Sequence, residues 1–447
     1  MTVLMYTLGV VLFVLGVAVS IGLHEVGHML PAKKFGVKVT QFFIGFGSTV
    51  WSRQRGETEY GVKAIPLGGY VKLVGMLPPG RDDARDATGE AGSPGVRLRK
   101  SNTGLFTQLI SDARSAEYEL VGPEDEDRLF YKLPWWKKVI VMAGGPTVNL
   151  VLAFVFFGSV FMFYGVPEPT TRVETVSDCV IAAEPGQQEV RDCRPGDPMA
   201  PAKKAGIEPG DRIVAINGTE VTSWEQLSRL IRQNGNDRVA LVVERDGEQL
   251  TTSTSTTVSP RPESAENPDR IVEVGFLGVS PQSVLDRKGP VFVVTTMADY
   301  TWRTVQALGE MPVKLVGVAK AALGLQERDR ESPMSVVGAS RVAGEVSSAH
   351  EVPLLDRFIS LVMLLGAINL FVGMFNFVPL LPLDGGHIAG ALYEAVRRGL
   401  ARLFHRPDPG HFDVAKLLPV AYLMAGVILV MSVVLIYADI VAPVRVG

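Results

Sequence analysis

The sequence predicts a polytopic α-helical membrane protein: four transmembrane helices, a membrane-associated β-hairpin sheet and one extracytoplasmic α+β domain. Three observations carry this. The 447 residues are 47% hydrophobic and only 20% charged, more apolar than an ordinary soluble chain of that length. The apolar residues are gathered into four uncharged runs, each long enough for a hydrocarbon core that needs about 20 residues. Between the second and third runs lies a stretch with the turn and alternation signals of a small mixed domain. The net charge of −3 leaves no basic footprint for nucleic acid. Two cysteines exclude a Cys-rich zinc module or an iron–sulfur protein.

The four runs are residues 3–23, 139–167, 358–383 and 417–438. The first has no basic residue ahead of it and no small-residue cleavage site behind it, so it reads as a span and not as a cleaved signal. With flanking residues the elements become a first transmembrane helix at 1–30, a cytoplasmic β region at 31–77 and a polar, disordered insertion at 78–130. A second helix at 139–167 leads to an outer domain at 172–258. A linker and amphipathic helical segment fill 259–357, followed by a third helix at 358–390 and a fourth at 415–438. Lys33, Lys34, Lys38, Lys132, Lys137, Lys138, Arg397, Arg398 and Arg402 crowd the loops after the first and third spans. Cytoplasmic loops carry such excess, so both termini and the long 168–356 loop are expected outside, in a cell membrane.

Within that loop, Gly206-Ile207-Glu208-Pro209-Gly210-Asp211 is turn chemistry and Arg212–Ile216 alternates like a half-buried strand. Asn217-Gly218 and Asp246-Gly247 mark hairpin turns, and Ser223 is an N-cap candidate for a following helix. The pattern AGIEPGDRIVAING, helix, strand resembles a PDZ domain, a fold that binds extended peptide ends by strand addition. Residues 259–270 read as a Ser/Pro/Glu-rich linker, and 299–325 as a helix lying on the membrane surface or against the PDZ module. Cys179 and Cys193 open the outer loop, where an oxidising setting favours a disulfide worth about 2–4 kcal/mol.

The chemistry stands at the end of the first span, in His24-Glu25-Val26-Gly27-His28. Positions i and i+4 of a helix share a face, so both imidazoles can bind one zinc ion, with Glu25 beside them in reach of the attacking water. Three ionisable groups next to a membrane span are costly unless they face a polar cavity. A catalytic zinc site has three protein ligands and one open position. The third run ends in Asn376-Phe377-Val378-Pro379-Leu380-Leu381-Pro382-Leu383-Asp384-Gly385-Gly386-His387. Its prolines break the helix at membrane depth, which is tolerated only where the chain is buried in protein or lines a cavity. Asp384 and His387 are the competing candidates for third ligand.

HEVGH on a first span, NFVPLLPLDGG on a late one and a PDZ-like module between them are similar to the site-2 protease family of intramembrane zinc metalloproteases, in its bacterial, PDZ-containing, four-span branch. That resemblance implies His24, His28 and Asp384 as ligands of one Zn2+ per chain and Glu25 as general base. It implies that Asn376, and Asn149 in Gly145-Pro146-Thr147-Val148-Asn149, lie at the site. Gly69 and Tyr70, in Gly68-Gly69-Tyr70-Val71, match the family's β loop, which holds substrate in extended form. The implied partners are single-span membrane proteins, such as anti-sigma factors, already cut once outside the membrane. A single PDZ module and the long polar insertion depart from the pattern. Two other readings share the motifs: a membrane-anchored quality-control protease with a glutamate ligand, and a PDZ adaptor whose metal is structural.

Overall fold

The computed structural model describes residues 2–79, 105–118, 121–183, 191–263, 270–329 and 332–444. The chain divides into two compact units, Met1–Val160 with Gly289–Gly447, and Phe161–Lys288. Among the described residues, four helices are long and apolar enough to cross a membrane: Thr2–Lys34, Trp135–Tyr164, Leu354–Asn376 and Val414–Val441. The chain is a multi-pass membrane protein, and its large exposed apolar residues, among them Leu4, Leu423, Val430 and Ile440, need lipid around them.

Helix α1 (Thr2–Lys34) leads into β1 (Val39–Arg55) and β2 (Thr58–Leu73), an antiparallel pair with repeated register shifts. Residues 41–44 are flanked by 69–72 on one side and 59–62 on the other. Segment 69–73 therefore forms an outer strand, paired only on its β1 side among the described residues. Met29, Val37, Val39, Leu73 and Phe130 form the core that joins this sheet to the membrane helices.

The expected disordered insertion is corrected over its second half. Helix α2 (Leu105–Tyr118) and short 3-10 turns at Pro123–Arg128 and Phe130–Lys132 replace it, while 80–104 lies outside the described residues. Polarity misled because α2 docks by ionic contacts, which composition does not reveal. Arg114 donates to Asp413 at 2.7 Å, and the Glu117 carboxylate accepts the backbone N–H groups of Met76 and Leu77.

Burial pushes the Glu117 carboxyl up from 4.5 to about 7, opposed by the Leu77 and Met76 amides and by Lys72. A raised carboxyl binds more protons when docked than when free, so docking is strongest below the ordinary value and weakens as pH rises through about 7. Hydrogen exchange of the Met76 and Leu77 amides, corrected for intrinsic rate, is therefore expected to quicken between pH 6 and 8. Glu117→Gln should flatten that dependence; an equally steep profile in the variant would sink the assignment.

Helix α3 (Trp135–Gly158) is extended by a π turn at Ser159–Tyr164, and the first part of the larger unit ends within that turn, at Val160. The smaller unit holds β3 (Val166–Val176), β4 (Arg212–Ile216), β5 (Thr219–Glu220), helix α4 (Trp224–Gln233), β6 (Arg238–Arg245), β7 (Glu248–Ser255), β8 (Thr257–Pro262), β9 (Ile271–Phe276) and β10 (Val279–Asp286). Its main sheet runs β10-β3-β4-β6-β7, with β5 beside β4, and β8 pairs with β9. Ile213, Ile216, Leu227, Leu241 and Leu277 form its core, and the Ser223 side chain caps α4 by accepting the Gln226 N–H. Asn217 and Asp246 both take positive φ before a glycine, as tight hairpins require. Cys179 and Cys193 are joined in a disulfide.

This unit is wider than the expected 172–258, because β3 begins at Val166 and β10 returns beside it. The expected linker at 259–270 is corrected too. Its first residues belong to β8, whose ladder with β9 pairs Ser259 with Val274, and 264–269 lies outside the described residues.

Helix α5 (Pro290–Ala322) starts well before the expected 299. It packs Leu315, Val318 and Ala322 against Leu435 and Ala438 of the last membrane helix. Helix α6 (Val336–Ser348) follows, then α7 (Leu354–Asn376), α8 (Asp384–Leu403) and α9 (Leu418–Val441). The expected third helix at 358–390 is thus two helices, broken over 377–383 where Pro379 and Pro382 interrupt the backbone ladder.

Candidate active site

The site is built from α1, α3, α7, α8 and the β1–β2 sheet. His24, Glu25 and His28 occupy one turn of α1. Helix α3 meets this turn backbone to backbone: a Cβ added at Gly144 would lie 2.0 Å from the Gly27 carbonyl oxygen. Small residues at such crossings let membrane helices approach this closely. At the next position, a Cβ on Gly145 would lie 2.3 Å from His28 Nε2 and 2.7 Å from His24 Nε2. The two imidazoles therefore rest against a bare stretch of α3.

His28 Nδ1 lies 2.8 Å from the Val141 carbonyl oxygen. That acceptor requires a proton on Nδ1, which leaves the Nε2 lone pair of a neutral ring directed at the site. His24 Nε2 is 3.2 Å from His28 Nε2. Asp384 Oδ2 lies 3.5 Å from His24 Nε2 and 3.3 Å from His28 Nε2. All three ligand atoms fall within 4.8 Å of one another. Two imidazole nitrogens and a carboxylate oxygen thus converge on one point, and two nitrogens with one oxygen suit zinc at a site with an open fourth position.

Asp384 reaches this point as the first residue of α8. Folding the broken 377–383 segment over that helix start leaves no room for side chains behind Asp384. A Cβ at Gly385 would meet the Val378 carbonyl oxygen at 2.2 Å, and one at Gly386 the Leu381 nitrogen at 2.7 Å.

A cavity of about 400 Å³ opens on these groups. His24, Glu25, His28, Gly69, Tyr70, Asn149, Asn376 and Asp384 all line it. Glu25 is 8% exposed, and its side chain packs on the outer β2 segment, where a Cβ at Gly69 would sit 3.0 Å from Glu25 Cγ. Asn149 is 3% exposed, and its Oδ1 has no hydrogen-bond partner among the described residues. Asn376 is the last residue of α7. His387 lines the cavity but stands outside the three-ligand group. Tyr70 stacks on Phe43 with ring centroids 5.6 Å apart. Ile21, Val71, Leu73, Met142 and Val372 supply apolar wall.

Sequence reasoning missed the Val141 carbonyl, since backbone acceptors carry no residue signature, and the part Gly145 plays as a wall. It also used Lys138 only for orientation, although a lysine at the mouth of an apolar run is a signal worth pairing.

The sequence matches Peptidase family M50 over residues 12–405. It is 32% identical over 458 residues to zinc metalloprotease Rip1 of Mycobacterium tuberculosis, with 99% of each chain covered. Identity to zinc metalloprotease Rip1 of Mycobacterium bovis is 32% over 452 residues, covering 99% of each chain. For the Mycolicibacterium smegmatis protein of that name it is 32% over 454 residues, covering 98% of this chain and 99% of the relative.

Proposed function

The chain belongs to peptidase family M50, the site-2 protease family, and is a zinc metalloprotease of the membrane; on that premise we propose that it hydrolyses peptide bonds inside the spans of single-pass membrane proteins after a first cut outside. The observation that carries this reading is the convergence of His24, His28 and Asp384 within 4.8 Å, in a cavity walled by membrane helices and by an outer strand.

In this proposal His24, His28 and Asp384 hold one zinc ion per chain. The ion, when bound, supplies Lewis acidity toward the scissile carbonyl and acidifies water. Glu25 takes the proton of the attacking water and returns it to the leaving amine; such positioned proton transfer contributes about 10²–10⁴-fold. A helical substrate hides its carbonyls in its own hydrogen bonds and must unwind before attack. The outer 69–73 segment receives the unwound chain by strand pairing, with Gly69 keeping that strand close to Glu25 and Tyr70 bracing it. Asn149 and Asn376 hold the substrate backbone, and the free Asn149 Oδ1 accepts an N–H that the helix no longer uses.

We further propose that the 161–288 unit acts as a PDZ domain on the outer side, with both termini, admitting peptide ends made by the first cut. Anti-sigma factors are substrates of the required form. The test is co-expression with a tagged single-span protein, either full length or shortened outside. The expected result is cutting of the shortened form alone, with the cut mapped by mass spectrometry inside the apolar segment. A cut mapped outside that segment would overturn the intramembrane reading, and equal cutting of both forms would remove the need for a first cut.

A further inference from the structure

Lys138 and Glu394 lie outside the cavity, 6% and 1% exposed, with Nζ and Oε2 2.8 Å apart. The Glu394 carboxylate also accepts the Phe412 N–H at 3.1 Å and lies 3.2 Å from Arg398 and 3.3 Å from His411. Lys138 belongs to α3, and its spacing to Val141, Gly145 and Asn149 puts the four on one helix face. That face orients His28 through the Val141 carbonyl, abuts both imidazoles at Gly145 and walls the cavity with Asn149. Glu394 belongs to α8, the helix that Asp384 begins.

Helix α8 cannot inherit its axial position from α7, because the broken 377–383 segment separates them. Something else must fix how far Asp384 stands from α1. A buried ion pair adds little stability beyond what apolar residues of the same volume would give. It does penalise sliding, since a slip of one helical turn, about 5.4 Å, would strand the Lys138 charge without its carboxylate and away from water.

We infer that Lys138 and Glu394 are positioning residues, which set the carboxylate of Asp384 against the two imidazoles by pinning α8 to the α3 face that holds the histidines. The inference rests on reading Asp384 as a metal ligand.

The experiment uses the full-length protein in detergent, with zinc affinity read by chelator competition, ligand geometry by the visible absorption of bound Co2+, and stability by thermal unfolding. Lys138→Met and Glu394→Gln are expected to bind zinc about 10–100-fold more weakly, the range for lost outer-shell support of metal ligands, with altered Co2+ bands. The double variant Lys138→Met/Glu394→Gln leaves no unpaired charge in the pair. It is expected to regain wild-type stability without regaining zinc affinity or the wild-type Co2+ spectrum, and it serves if either single variant does not fold. A merely structural pair would recover all three together, which would overturn the inference. So would wild-type affinity and spectrum in the variants when Asp384→Ala has lost the metal. Wild-type affinity in Asp384→Ala would instead overturn the ligand reading itself.

Discussion

Replacing Glu25 by Gln is expected to lower cleavage of a shortened single-span substrate by about 10²–10⁴-fold, the usual contribution of a positioned general base. Zinc content per chain should remain at the wild-type level. The physical basis is that Glu25 sits outside the three-ligand group yet faces the same cavity. Glutamine keeps the volume of the side chain and its packing on Gly69, and removes only the capacity to take a proton. Quenched-substrate kinetics with parallel metal analysis provide the check. Cleavage retained in a variant that keeps its zinc would remove Glu25 from the chemistry. Loss of both zinc and cleavage would mean that the residue supports the metal and is no base.

Asp384→Ala is expected to lose both activities, with zinc affinity falling by more than the roughly 10–100-fold that an outer-shell change costs. The substitution removes the only carboxylate oxygen within 3.5 Å of both imidazoles among the described residues. It leaves α8 free to form, because the helix start depends on the folded 377–383 segment and the glycines behind it. Gly145→Ala offers a companion measurement from the opposite wall. Its methyl group would enter the space of His28 Nε2 and His24 Nε2, so the same competition assay should show weakened zinc with every ligand still present. Full zinc affinity in Asp384→Ala, lost only on replacing a glutamate, would favour the quality-control reading with a glutamate ligand.

Much of the site was legible because its signals are local. A His pair four residues apart declares one helix face wherever that helix goes, and an acid at the end of a proline-broken apolar run has few other uses. The contest between Asp384 and His387 was of another kind. Both residues end on the cavity wall, and the placement of α8 brings Asp384, not His387, to within 3.5 Å of both imidazoles. Misreadings followed a single pattern. The 105–128 stretch and the 259–270 stretch looked unstructured because their order comes from distant partners: Glu117 on the Met76–Leu77 backbone, Arg114 on Asp413, and β8 on β9.

By itself the sequence determined the membrane spans, the zinc-binding motif and the hairpins of the smaller unit, because hydrophobic length, helical period and turn chemistry are properties of short segments. Tertiary structure alone decided which side chain stands against the two imidazoles, which strand segment lies outermost, and which groups meet α8. Those outcomes depend on groups far apart in the chain, Lys138 and Glu394 among them, meeting across helix faces. Their distances are set by packing, and no short segment encodes them.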